Sequence, residues 1–268
     1  MAPVTSGSPP APADPADPVL RTAIFYYGSE LPANRAATAA LRGAAVVLQP
    51  YHPLLLTGRF AEYFPGCSLF LYWNPTGMPA AELRGAGRNI RLLAADPVWN
   101  LARLDLRSPA TRQFAVRRGL LALRAAGARG CAAGLFVDDL DLWAAADQEA
   151  AFSVVDSVTT AAGRDVRLFV NRGFWFWPRL PNIDAVLLED LTPGLVDHLN
   201  PADQLWVEQQ VLPAVRQVRR RGAACFGLTY QPGPEAGPQC PVSRQLAEMT
   251  DGVLLGRRAL DEWPEEFR

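Results

Sequence analysis

The chain has 268 residues, a formal net charge of -1 and charges scattered along its length, so it lacks the basic footprint by which nucleic acid or an anionic membrane surface is bound. All 26 basic residues are arginine, which excludes a lysine Schiff base and a P-loop lysine. Four dispersed cysteines without a CxxC pair, and histidine only at 52 and 198, exclude zinc-ribbon spacing and leave little for a histidine-based metal site or a Ser-His-Asp triad.

In chain order, residues 1–20 are rich in Pro and Ala and show neither a basic stretch nor an apolar one of the signal-peptide kind. They read as a disordered leader, followed by a single domain over 21–268. As written the chain reads as cytoplasmic, with its true compartment left open. No run of about 18 apolar residues is present, so no membrane span is expected.

From residue 22 on, short runs apolar at every position recur: TAIFYYG, AAVVLQP, SLFLYWNP, LARLDL, GLFVDD, RLFVNRG, AVLLED and ACFGLTY, with a ninth candidate at GVLLG. Such runs are the mark of parallel strands buried on both faces. Between them lie helices with end signals. Ser108 and Pro109 open one that Gly127 stops. A second lies within 147–162, ending at Gly163. Asn200 and Pro201 open a third that runs to Gly222, with Pro213 as a kink or break. This alternation predicts an α/β fold, a (β/α)8 TIM barrel, with one of nine strand candidates peripheral. No GxGxxG follows the first strand, against dinucleotide binding.

In such barrels the C-terminal strand ends build the active site. Here they carry Tyr27, Gln49, Tyr72, Asn74, Asp105, the trio Asp138, Asp139 and Asp141 ahead of Trp143, then Asn171, Glu189, Asp190 and Tyr230. Asp139 and Asp141 read equally well as helix caps, and Asp105 as the partner of an arginine. Trp175 and Trp177 suit loop packing as well as ligand contact. Asp138 and Glu189 differ, since each is the first acid after an unbroken apolar strand, where an unpaired carboxylate is costly. Counted in chain order their strands are the fifth and the seventh. Paired acids facing a mouth walled by Tyr and Trp suit glycoside hydrolysis: one acid protonates the leaving oxygen, while the other acts as base or nucleophile. Tyr27, Tyr72, Asn74, Asp105, Asp141, Trp143, Asn171 and Tyr230 are the expected sugar contacts.

The segment GLFVDDLDLW resembles the aspartate motif of the glycoside hydrolase family 114 barrels, and FYYG, LFLYW, ARLDL with SPATR, FVNRG and AVLLEDL fall in matching order. The resemblance spans roughly residues 22 to 260. It implies an endo-acting α-1,4-polygalactosaminidase-like enzyme without cofactor or metal, acting on a polysaccharide, in a mostly exported family. It also implies Asp138 and Glu189 as the catalytic acids and Asp141 as the second motif aspartate. Gln49, where relatives often carry an acid, and NPTGM after LYW depart from the family pattern. Two alternatives stand beside this reading: a carbohydrate-binding barrel without activity, and a Mg²⁺-dependent enzyme using Asp138, Asp139 and Asp141 as oxygen ligands.

Overall fold

The computed structural model describes residues 20–268 except 86–88, 98–99, 143, 164–165, 231–238, 256–259 and 265–266; the leader expected over 1–20 lies, but for Leu20, outside the described residues. The strands are β1 (Thr22–Tyr26), β2 (Ala44–Leu48), β3 (Ser68–Trp73), β4 (Gly77–Pro79), β5 (Leu92–Asp96), β6 (Leu101–Leu104), β7 (Ala133–Val137), β8 (Leu168–Asn171), β9 (Ile183–Glu189), β10 (Ala224–Thr229) and β11 (Gly252–Leu255). Eight of them, in the order β1-β2-β3-β7-β8-β9-β10-β11, pair in parallel as a nearly closed (β/α)8 barrel. The seam between β11 and β1 is bridged by the segment after β11, where Tyr27 N–H donates to the Leu260 carbonyl at 2.7 Å.

The strand expected at LARLDL is the peripheral one. It forms β6, which pairs antiparallel with β4 and β5 in a separate three-stranded sheet inserted between β3 and the next helix. Its burial alternates, intermediate then buried, as a strand covered on one face does, whereas barrel strands such as β2 are buried at every position. The ninth candidate, GVLLG, supplies the eighth barrel strand. In barrel order Asp138 therefore follows the fourth strand, β7, and Glu189 ends the sixth, β9, rather than the fifth and seventh.

Helices α1 (Arg35–Ala39), α2 (Pro53–Leu56), α3 (Phe60–Tyr63), α4 (Pro109–Gly127), α5 (Ala145–Ala162), α6 (Pro193–Val196), α7 (Pro201–Trp206), α8 (Leu212–Arg220) and α9 (Pro241–Met249) fill the crossovers. The expected long helix from Asn200 is α7 and α8 joined through a π-turn over Val207–Val211. Pro213 explains it, because its ring and missing N–H spoil the regular ladder one turn back. Asn200 caps the start, its side chain accepting from Asp203 N–H.

The barrel interior is packed with aromatic rings. Phe169 lies 5.6 Å from Phe25, 5.6 Å from Phe70, 5.2 Å from Phe136 and 5.9 Å from Phe226, ring centre to ring centre. Gly134 on β7 makes room for this layer, since a Cβ there would sit 2.8 Å from the Phe70 ring and 2.6 Å from the Arg167 carbonyl oxygen. The other strand phase, with Val46, Leu71, Leu135, Val170 and Leu188, packs in the larger apolar cluster shared with the helices.

Candidate active site

Alternation along the strands decides which polar residues reach the mouth. Tyr27, Gln49, Tyr72, Asp138, Asn171, Glu189 and Tyr230 each stand two positions beyond an inner-layer residue: Phe25, Val47, Phe70, Phe136, Phe169, Leu187 and Leu228. They continue the inward phase for one more step and cap the aromatic layer with polar groups. All but Tyr230 line a cavity of about 720 Å³ at the C-terminal face, together with Tyr51, Leu56, Asn74, Arg103, Arg118 and Leu121.

At its floor Asp138 and Glu189 converge on one donor. The Asn171 side-chain N–H group donates to Asp138 Oδ1 at 2.8 Å and to Glu189 Oε2 at 2.5 Å. Asp138 Oδ1 also accepts from Asp139 N–H at 2.8 Å, and the Tyr230 hydroxyl donates to Glu189 Oε1 at 2.5 Å. Burial first, and then the Glu189 carboxylate, push the Asp138 carboxyl up to about 6, against the pull of the Asn171 donor. Burial, with Asp138 next, holds the Tyr27 and Tyr72 phenols well above their ordinary range; burial, with Glu189 next, does the same for Tyr230. These phenols stay protonated and serve as O–H donors.

The other expected contacts fare differently. Asn74 lines the cavity, yet its amide is committed: Nδ2 donates to Asp139 Oδ2 at 3.2 Å, and Oδ1 accepts from Thr76 N–H at 2.9 Å. Asp139 does not cap a helix. It adopts φ 61, and its Oδ2 is held by Arg103 and by the Thr76 hydroxyl at 2.9 Å. Asp141 pairs with Arg172 Nε at 2.7 Å and accepts from Gly173 N–H at 3.4 Å. Asp105 is not brought to the mouth. It follows β6, outside the barrel, and binds Arg107 N–H at 3.1 Å and Arg107 Nε at 2.8 Å, the arginine-partner reading. Trp143 lies outside the described residues. Trp177 packs fully buried and donates from Nε1 to the Arg172 carbonyl at 2.6 Å, and Trp175 donates to the Leu140 carbonyl at 3.2 Å. Both hold the loop after β8. Arg103 and Thr76 were not foreseen; the one signal was a lone arginine inside the apolar LARL run.

With Asp139 on Arg103 and Asp141 on Arg172, the three motif aspartates do not form a shared oxygen cage, which is what a Mg²⁺ site needs. Among the described residues no group of three or more His, Cys, Asp or Glu is placed to hold a metal ion. No helix among them is long and apolar enough to cross a membrane.

No profile of a known family matches the sequence, and no curated protein does. Among solved structures, the glycoside hydrolase domain of PelA from Pseudomonas aeruginosa is similar over 90% of this chain and 96% of that one, at 25% identity and a TM-score of 0.60. The barrel resembles those of glycoside hydrolase family 114. A single-site variant of the PelA domain shares this fold with a TM-score of 0.61 at 24% identity, over 90% of this chain and 96% of that one. Ega3 from Aspergillus fumigatus, solved in complex with galactosamine, shares the fold with a TM-score of 0.57 at 14% identity, over 96% of this chain and 98% of that one. The likeness to the PelA glycoside hydrolase domain runs through 90% of this chain, in line with the order of the sequence motifs.

Proposed function

We propose that the protein is a retaining glycosidase that cleaves an α-linked galactosamine- or galactose-type polysaccharide, with Asp138 and Glu189 as its acid pair. The observation that carries this reading is the shared Asn171 donor. Its two hydrogen bonds hold Asp138 Oδ1 and Glu189 Oε2 no more than about 5.3 Å apart, a closeness of that oxygen pair that favours the retaining arrangement. One carboxyl gives its proton to the glycosidic oxygen as that bond breaks, and the other carboxylate bonds to the anomeric carbon. A water then attacks that carbon and yields its proton to the first carboxylate, which releases the sugar and restores both groups. Burial, with the Glu189 carboxylate next, lifts Asp138 to about 6, so the pair holds the one proton this sequence starts from up to mildly acidic pH.

Substrate class rests on charge and likeness. Asp141 pairs with Arg172, and Asp139 shares Arg103 with Asp96, so the attraction for a cationic amino sugar centres on the Asp138–Glu189 pair and is a smaller field than unpaired mouth carboxylates would give. Tyr27, Tyr72 and, at the rim, the half-exposed Tyr51 offer ring faces to sugar. The galactosamine bound by Ega3 supports the same sugar class here.

The test is release of reducing ends from α-1,4-galactosamine oligosaccharides. Asp138→Asn and Glu189→Gln should each lower kcat by about 10²–10⁴-fold or more. Added azide should then rescue both, giving a glycosyl azide of inverted configuration from whichever variant lost the nucleophile and of retained configuration from the other. A wild-type chain that binds the polymer and never cuts it would leave a carbohydrate-binding barrel instead.

A further inference from the structure

The peripheral sheet brings two charged residues, Asp96 and Arg103, to the cavity. Arg103 of β6 is two-thirds shielded and forks between two carboxylates, Asp96 of β5 at 3.1 Å and Asp139 beside the acid pair. Asp139 sits in the left-handed region, φ 61, a conformation that costs a non-glycine residue about 1 kcal/mol or more and persists only when its surroundings hold it. Arg103, Thr76 and Asn74 all hold it through the same oxygen, Oδ2. That conformation aims the Asp139 N–H at Asp138 Oδ1, 2.8 Å away. A planar guanidinium can bridge two acids at once, which an ammonium does poorly.

We propose that Arg103, supplied from outside the barrel, is a positioning residue for the acid pair: it pins the Asp139 turn whose N–H orients Asp138, and its cation offsets the Asp139 charge next to Asp138. This deepens the glycosidase reading and rests on it for its catalytic consequence only. The groups facing Asp138 are Glu189 from β9, Asn171 from β8, and Tyr72, Tyr27 and Tyr230 from β3, β1 and β10. Asp139 completes the set and is the one Arg103 neutralises. Removing Arg103 therefore adds repulsion to Asp138 and loosens its N–H donor, and both effects favour its protonated form.

The experiment follows the Asp138 side-chain carboxyl by ¹³C NMR against pH in the full chain, assigned by its loss in Asp138→Asn. In Arg103→Met the Asp138 midpoint should rise by about 0.5 pH unit or more. Asp139→Asn added to that variant should bring it back to the wild-type position or below, and Arg103→Lys should recover at least half of the shift. On galactosamine oligosaccharides the same variants should show the pH limb of kcat/KM moving with the NMR midpoint and kcat falling about 10-fold while KM holds. An unmoved midpoint in a folded Arg103→Met overturns the proposal. Should that variant fail to fold, Arg103→Gln and Arg103→Leu, which also remove the cation from Asp139, are read in its place, and an unmoved midpoint in a folded one overturns it equally. A wild type without turnover removes the glycosidase reading, while the carboxyl titration still decides the role of Arg103.

Discussion

Tyr230 donates its phenolic proton to Glu189 Oε1 at 2.5 Å, while Asn171 takes the other oxygen of the same carboxylate. Glu189 is thus gripped from β10 and β8, the strands on either side of its own. A hydrogen bond to a charged group contributes roughly 1.5–3 kcal/mol. Tyr230→Phe keeps the ring and removes only that donor, so kcat should fall about 10- to 100-fold with the fold intact by circular dichroism. Unchanged kcat in Tyr230→Phe would mean that Glu189 needs no fixed orientation.

Asp138 carries its raised titration near 6 into both activity and stability. Activity needs one proton on the pair, so kcat/KM should decline as pH rises past about 6. For stability the sign follows from proton uptake: the native carboxyl titrates near 6 and the unfolded one near its ordinary 3.8, so between these values the folded state binds more protons. Folding free energy is then weakened as pH climbs from about 4 to 6. Asp138→Asn removes the desolvated charge and should be more stable than wild type at pH 7, by about 1–2 kcal/mol once contact with the open cavity is allowed for, and its stability should be flatter across that window. Thermal melts of both chains at pH 4.5 and 7 measure this.

The arginine partners of Asp139 and Asp141 bear on the Mg²⁺ alternative. A divalent ion binding the native mouth would raise Tm by mass action. The structure predicts no rise with millimolar Mg²⁺ and full activity after exhaustive chelation. Arg103→Met is the informative partner experiment, because it removes the cation on the Asp139 carboxylate and leaves only the neutral Thr76 and Asn74 donors there.

Much of this was legible in the sequence because the barrel strands are apolar at every position and end in polar residues. AAVVL, GLFV and AVLL announce double-sided burial, and the acids that follow two of them are the pair that meets. LARLDL misled for a physical reason: its apolar residues alternate with polar or half-buried ones, the signature of an antiparallel strand covered on one side, and treating it as a barrel strand carried Asp105 into a mouth it never reaches. The same alternation, applied strictly, separates Asp138 from Asp139 and Tyr27 from Tyr26. Tyr26 falls in the outward phase and stacks on Trp263 at 3.9 Å. The Arg103 bridge had only the lone arginine in LARL as a signal and nothing nearby to name its partner, which lies in a turn 36 positions further along the chain.

The packing beneath the pair gives a prediction that owes nothing to chemistry. Gly134 and Phe136 are inward positions of β7 and Asp138 continues their phase just past its end, so whatever shifts Gly134 shifts the strand that leads to the acid. A methyl group at 134 would press on the Phe70 ring at 2.8 Å and on the Arg167 carbonyl oxygen at 2.6 Å. The ring cannot retreat, because Phe169 lies behind it at 5.6 Å in the same packed layer. Gly134→Ala should therefore cost about 1–3 kcal/mol through overpacking, despite the better strand propensity of alanine. Adding Phe70→Leu should return part of it, because the smaller side chain leaves the space the methyl needs. Urea unfolding of the two single variants and the double variant measures the coupling. Simple additivity of the two losses would mean that β7 moves away as a unit rather than clashing with Phe70.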